Sequence, residues 1–239
     1  MLSGVIPPPL YNITSLSHFS VAKNQLHGSL PSNLGQTLPN LLYFFVDLNN
    51  FYGPIPDSLS NASNAQMLDF GGNRFTGSIP KNLGNLRSIV VLNFEQNKLG
   101  YGRADDLSFI TSLSNCTILE VLGLNDNSLG GNLPESIGNL SSHLQTLTLG
   151  RNLFNGPLPT SIENLVNLTK LSVKQNSFNG SIPFGIGKLQ QLNHLSFGSN
   201  NFSGQIPSSL GNLTQLYKFI WATIVWRKLF LQALEIAKK

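Results

Sequence analysis

The feature that most limits what this chain can fold into is an asparagine that keeps returning, at Asn24, Asn49, Asn73, Asn97, Asn127, Asn152, Asn176 and Asn200. Each closes the pattern L-x-x-L-x-L-x-x-N, and the eight frames open at Leu16, Leu41, Ala65, Ile89, Leu119, Leu144, Leu168 and Leu192. The unit is about 24 residues long, with one exception of 30 residues between Ile89 and Ile118. A unit this short cannot bury its apolar side alone and must stack on its neighbours, so the period implies a solenoid. The composition agrees: with 22 Gly, 13 Pro and 28 Asn, no helical bundle could carry so many breakers through its interior.

Within each frame alternate residues, such as Leu147 and Leu149, point inward from a short strand, while those between them face solvent. Successive strands then form a parallel sheet with one broad open side. After the strand the chain must bend, and an asparagine there can pair the backbone groups that the bend frees, within its own turn and the next. A buried asparagine ladder is therefore expected. The second half of most units reads L/F-x-G-x-I/L-P, as at Phe75-Thr76-Gly77-Ser78-Ile79-Pro80 and again at Phe178 to Pro183. Gly supplies a conformation closed to other residues, and Pro holds the extended backbone that follows.

On this G-x-I-P step the sequence resembles the plant-type leucine-rich repeats of receptor-like-kinase ectodomains and of polygalacturonase-inhibiting proteins. The resemblance covers residues 1 to about 219. It implies an α/β repeat fold, a right-handed leucine-rich-repeat solenoid with its parallel β-sheet on the concave face. The organisation expected is a partial repeat over 1–15, eight repeats over 16–215 including the long one at 89–118, and a divergent segment over 216–239. In the long repeat, Asp105 or Asp106 is placed to cap a short helix that turns Leu107, Ile110 and Leu113 inward. That insert, followed by Leu129-Gly130-Gly131-Asn132-Leu133-Pro134, resembles the receptor-kinase subfamily that contains the plant receptor for bacterial elongation factor Tu. From Leu216 the pattern fails, because Ile224 stands where the ladder asparagine belongs. The segment reads as a helical cap on the last turn.

Charge separates the same two regions. Residues 1–215 hold ten basic and ten acidic side chains, and the net +4 belongs entirely to the tail, where Lys218, Arg227, Lys228, Lys238 and Lys239 face only Glu235. This distribution argues against a nucleic-acid partner. The N-terminal residues show no signal peptide. The apolar run Phe219 to Trp226 is too short to cross a bilayer, which takes about 20 residues, so any membrane link would run through missing segments. The single Cys116 excludes an intrachain disulfide, and the four histidines lack metal-ligand spacing.

No H-E-x-x-H, phosphate-binding loop, nucleophile elbow or kinase signature is present, so no enzyme activity, cofactor or metal is expected of the chain as given. A full-length relative would be a serine/threonine kinase. Function should lie on the solvent-facing strand residues, where early turns present Tyr43, Phe45, Asp47, Asp69 and Glu95 and later turns Arg151, Lys170, Lys174 and His194. Gly71, Gly72, Gly123 and Gly150 are expected to leave open backbone between the two sets. The sequon Asn-x-Ser/Thr occurs at Asn12, Asn61, Asn115, Asn139, Asn167, Asn179, Asn201 and Asn212. That number points to a glycosylated extracellular surface. The resemblance implies a ligand-recognition segment at the plasma membrane or in the apoplast, with a peptide or protein ligand and a co-receptor kinase as partners in immune or developmental signalling. The alternative reading is a secreted inhibitor of a polygalacturonase.

Overall fold

The structure, a computed structural model, describes residues 1–221. Nine short parallel strands, from His18–Ser20 through Tyr43–Phe45, Met67–Asp69, Val91–Asn93, Val121–Gly123, Thr146–Thr148, Lys170–Ser172 and His194–Ser196 to Lys218–Ile220, pair in chain order into one sheet. The chain is thus a leucine-rich-repeat solenoid. Equivalent residues stand in register across it, for example Thr146 with Lys170, Lys170 with His194 and His194 with Lys218. The last strand corrects the sequence reading at 216–221. There the ninth turn begins as a strand rather than a helix, because Leu216 and Phe219 pack partly buried against the core. The rest of the expected cap, 222–239, lies outside the described residues.

Each turn leaves the sheet at its asparagine. Asn152 accepts the Leu129 N–H on Oδ1 at 3.0 Å, while its Nδ2 donates to the carbonyls of Leu124, Leu149 and Gly150 at 2.8–3.2 Å. Asn49, Asn73, Asn97, Asn127, Asn176 and Asn200 repeat the scheme between their own neighbours. Asn49, Asn73 and Asn152 are buried and the other five half-buried, so the side chains seal the bend without all leaving solvent. Asn152→Ala should cost about 1–3 kcal/mol, since it strands buried backbone groups; thermal melts of several such variants with unchanged midpoints would contradict this.

The residue before each ladder asparagine is left-handed: Lys23, Leu48, Gln96, Asp126, Arg151, Gln175 and Ser199 have φ of 53–58°, and Gly72 takes φ 63° in the remaining turn. A non-glycine residue there costs about 1–2 kcal/mol, which the asparagine bonds offset. Downstream, Gly53, Gly77, Gly156, Gly180 and Gly204 have φ of 68–81°. The prolines that follow, such as Pro56, Pro159 and Pro183, precede short 3-10 helices that return the chain to the sheet.

The strand that follows each asparagine joins a second layer, which is not continuous. Five strands from Ser3–Val5 to Lys98–Leu99 form one sheet and four from Gly130–Asn132 to Asn201–Phe202 form another. The break falls at the long repeat, whose insert folds as a 3-10 turn Ala104–Leu107 running into an α-helix Ser108–Ser112. Leu107, Phe109, Ile110 and Leu113 are buried. Asp106 serves the start of this segment by accepting the Arg103 N–H at 3.0 Å, whereas Asp105 is exposed. Gly130 and Gly131 lie so close to the insert that a Cβ would stand 2.4 Å from the Gly102 carbonyl carbon or 2.5 Å from the Ala104 Cα. Only glycine fits at either position.

Candidate ligand-binding face

The free side of the nine-stranded sheet carries a regular array of side chains, most of them half-buried, and its two ends differ. At the N-terminal end Tyr43 lies against His18, with ring centroids 4.6 Å apart, and near Phe45 at 6.2 Å, and its hydroxyl reaches Gln66 Oε1 at 2.9 Å. Asp47 and Asp69 follow on adjacent turns. Burial, and then the charge of Asp69, push the Asp47 carboxyl above its ordinary value.

In the middle a polar chain crosses four turns. Asp69 accepts from the Gly71 N–H and from Asn93 Nδ2, both at 2.9 Å, and Asn93 accepts the Glu95 N–H at 3.0 Å. Glu95 accepts from Asn125 Nδ2 at 3.0 Å and from the buried Thr148 hydroxyl, while Asn125 accepts the Gly150 N–H. These side chains cover Gly71, Gly123 and Gly150, which the sequence suggested were open, whereas Gly72 lies at its bend against Leu48. A Cβ at Gly123 would meet Asn93 Oδ1 at 2.6 Å, and one at Gly150 would meet Asn125 and Lys174 atoms at 3.0 Å. The floor is small because its neighbours need the room.

At the C-terminal end Lys170, His194 and Lys218 form a row across three neighbouring strands, with Lys174 four residues on from Lys170. Adjacent strands put such positions about 4.8 Å apart. The imidazole of His194 is held below its ordinary value by burial and then by Lys218, Lys170 and Lys174. Among the described residues the ion pairs are Arg151 with Asp126 at 3.2 Å and Lys188 with Glu163 at 2.8 Å, so the lysines of this row have no carboxylate partner. The Ser196 hydroxyl, on the same strand as His194, is buried without a hydrogen-bond partner among the described residues.

The structure therefore brings Lys170, Lys174 and His194 together but not Arg151. That guanidinium sits at the left-handed bend and is held by Asp126 and by Gln175 Oε1 at 2.7 Å. Sequence reading missed Lys218, assigned to the tail because the ladder asparagine of its turn is absent; the leucine-type spacing of Leu216 and Phe219 was the signal that placed it. Cys116 is buried and its thiol is pushed up to about 11 by that burial. Among the described residues no group of His, Cys, Asp and Glu could hold a metal ion, and no helix is long and apolar enough to cross a membrane. All eight sequon asparagines are exposed.

Comparison with known proteins places this geometry. A leucine-rich repeat region model matches residues 98–235, and a single leucine-rich repeat model matches 64–86. The LRR receptor-like serine/threonine-protein kinase EFR of Arabidopsis thaliana is 46% identical over 88 residues, which is 37% of this chain and 8% of that protein. Receptor-like protein 39 of the same plant is 32% identical over 173 residues, 71% of this chain and 19% of that protein. Among solved structures, the Arabidopsis receptor kinase HAESA in complex with the peptide hormone IDA and the co-receptor SERK1 superposes with a TM-score of 0.78 at 26% identity, over 93% of this chain and 36% of that one. The chain spans less than a fifth of the length of either matched relative. It belongs to the leucine-rich-repeat proteins, with plant LRR receptor kinases and receptor-like proteins as its homologues.

Proposed function

We propose that this chain is a ligand-recognition segment of a plant receptor-like kinase, in the subfamily of the elongation factor Tu receptor, and that its concave strand face binds an extended peptide or protein ligand. The observation that carries the reading is the polarity of that face, with aromatic and acidic side chains on the early turns and, on the late ones, a lysine row without carboxylate partners among the described residues. An extended chain lying across the strands would meet both ends, and an acidic group entering the lysine row would need little reorganisation. The peptide in the HAESA complex supports a peptide ligand here, and its co-receptor supports a second kinase as partner. The eight exposed sequons support an extracellular setting at the plasma membrane, in immune or developmental signalling. The 46% identity to EFR supports the subfamily. A polygalacturonase inhibitor would use the same face, and stoichiometric block of such an enzyme would favour that reading.

The test is a charge reversal. Lys170→Glu with Lys174→Glu should abolish binding of an acidic or carboxylate-ended peptide while leaving the circular dichroism spectrum intact. Each exposed ion pair is worth only about 0.2–1 kcal/mol, so the loss should come from the cluster as a whole. Lys81→Glu with Arg87→Glu, both exposed and away from the strand face, is the control. Equal loss in both variants would mean general charge attraction, and no loss in either would remove the lysines from the site.

A further inference from the structure

We propose that the site on the last three turns takes up a proton when it takes up an anion: an acidic ligand group docking beside His194 converts the imidazole to imidazolium, so that affinity rises as the pH falls. This rests on the ligand-binding reading of the same face and names how that face would be regulated.

The geometry supplies the coupling. His194 is flanked in register by Lys170 on the strand before it and Lys218 on the strand after it, with Lys174 further along the first. Along its own strand the neighbouring position on this face is Ser196, which is uncharged. Among the described residues no carboxylate is paired with these cations, since the acids that form ion pairs, Asp126 and Glu163, hold Arg151 and Lys188. The imidazole thus stands among positive charges in a half-buried position, and both conditions disfavour its charged form in the free protein. A docked carboxylate reverses both terms. It cancels the repulsion from the lysines, and one of its oxygens can accept the ring N–H, which favours the imidazolium.

The sign follows from linkage. The free protein binds fewer protons at His194 than the complex does, so the complex gains on the free state as protons become available. A histidine ordinarily titrates near 6.5, so the window runs from about pH 7.5 down to about pH 5.5, where glutamate side chains with an ordinary value near 4.3 remain ionised. Across that window the affinity gain is about tenfold for each unit by which the ligand raises the His194 value. Ligand anions alone would give no such slope, because lysine ammonium groups keep their charge throughout.

The experiment uses an N-acetylated triglutamate peptide as probe. Its affinity is measured by calorimetry at three pH values across the window, in two buffers of different ionisation heat so that proton uptake is read directly. In parallel the His194 imidazole is titrated by NMR with and without the probe, its signal identified by its loss in His194→Gln. The expected result is tighter binding at low pH, net proton uptake, and a His194 titration that moves upward in the complex. His194→Gln should flatten the pH profile, and Lys218→Gln should raise the His194 titration in the free protein by removing one of the repelling charges. Binding with the same affinity at every pH and no proton uptake would overturn the coupling while leaving the site in place. No binding at any pH would overturn the site itself, and the coupling with it.

Discussion

Asp106→Ala should destabilise the protein by about 3–5 kcal/mol, a large effect for one side chain outside any active site. Its carboxylate is buried, at 2% exposure, yet it has no cationic partner in an ion pair among the described residues. It is satisfied instead by backbone: the Tyr101 N–H lies 2.9 and 3.1 Å from its two oxygens, the Arg103 N–H at 3.0 Å and the Gly130 N–H at 3.1 Å. Hydrogen bonds to a charged group contribute about 1.5–3 kcal/mol each, and a stranded buried donor costs about 1–3. The Gly130 bond crosses to the next turn at the place where the second sheet is interrupted. Besides it, the backbone ties across this seam include Ser128 N–H to the Leu99 carbonyl at 2.7 Å and Gly102 N–H to the Ser128 carbonyl at 2.9 Å. Loss of the carboxylate should therefore loosen residues 100–115 first. Amide exchange in that segment should accelerate well before the nine-stranded sheet opens, and Asp106→Asn should rescue little, since an amide nitrogen would face backbone donors. A denaturation midpoint and exchange pattern close to wild type would show that the insert is held by its apolar residues alone.

Phe70→Ala should cost a similar 3–5 kcal/mol, the usual range for emptying a buried aromatic site. Its ring is fully buried and sits among three others, with centroids 5.7 Å from Phe44, 5.8 Å from Phe75 and 5.5 Å from Phe94. Together with Phe19, 5.1 Å from Phe44, these rings run through the first four turns. A solenoid is stabilised by contacts between neighbouring turns, so a cavity at Phe70 weakens both interfaces of its turn. Urea unfolding should split, with residues before about Ala65 melting ahead of the rest, and the slope of the main transition should fall because less surface is exposed in it. One cooperative transition shifted by less than about 1 kcal/mol would show that the cavity had collapsed without loss.

Much of this protein was legible in its sequence because a repeat announces its geometry through periodicity. The strand positions, the inward leucines, the bend at each asparagine and the proline before most of the 3-10 helices all follow from spacing, since a parallel sheet of identical turns leaves no choice of register. The same alternation placed Tyr43, Asp69, Lys170 and His194 on the open side of the sheet. Two things escaped it. The left-handed residue before each asparagine varies from lysine to leucine to serine, because the asparagine bonds, rather than the residue itself, stabilise the bend. Lys218 joined the tail in a reading that followed ladder asparagines, although its strand forms without one by pairing with His194–Ser196.

What only the tertiary structure decided is which charges and polar groups meet. Sequence spacing gives the face on which a side chain lies, but a hydrogen bond depends on atoms that come together from different turns. Arg151 was drawn to Asp126 and Gln175 instead of to the lysines, and the glycines of the floor were covered by Asn93 and Asn125. Asp106 gathered its donors from Tyr101, Arg103 and Gly130, residues that no repeat pattern connects. The period fixed the scaffold because backbone pairing is common to every turn, whereas the site and the seam depend on side chains that differ between turns, and these find their partners only once the turns are stacked.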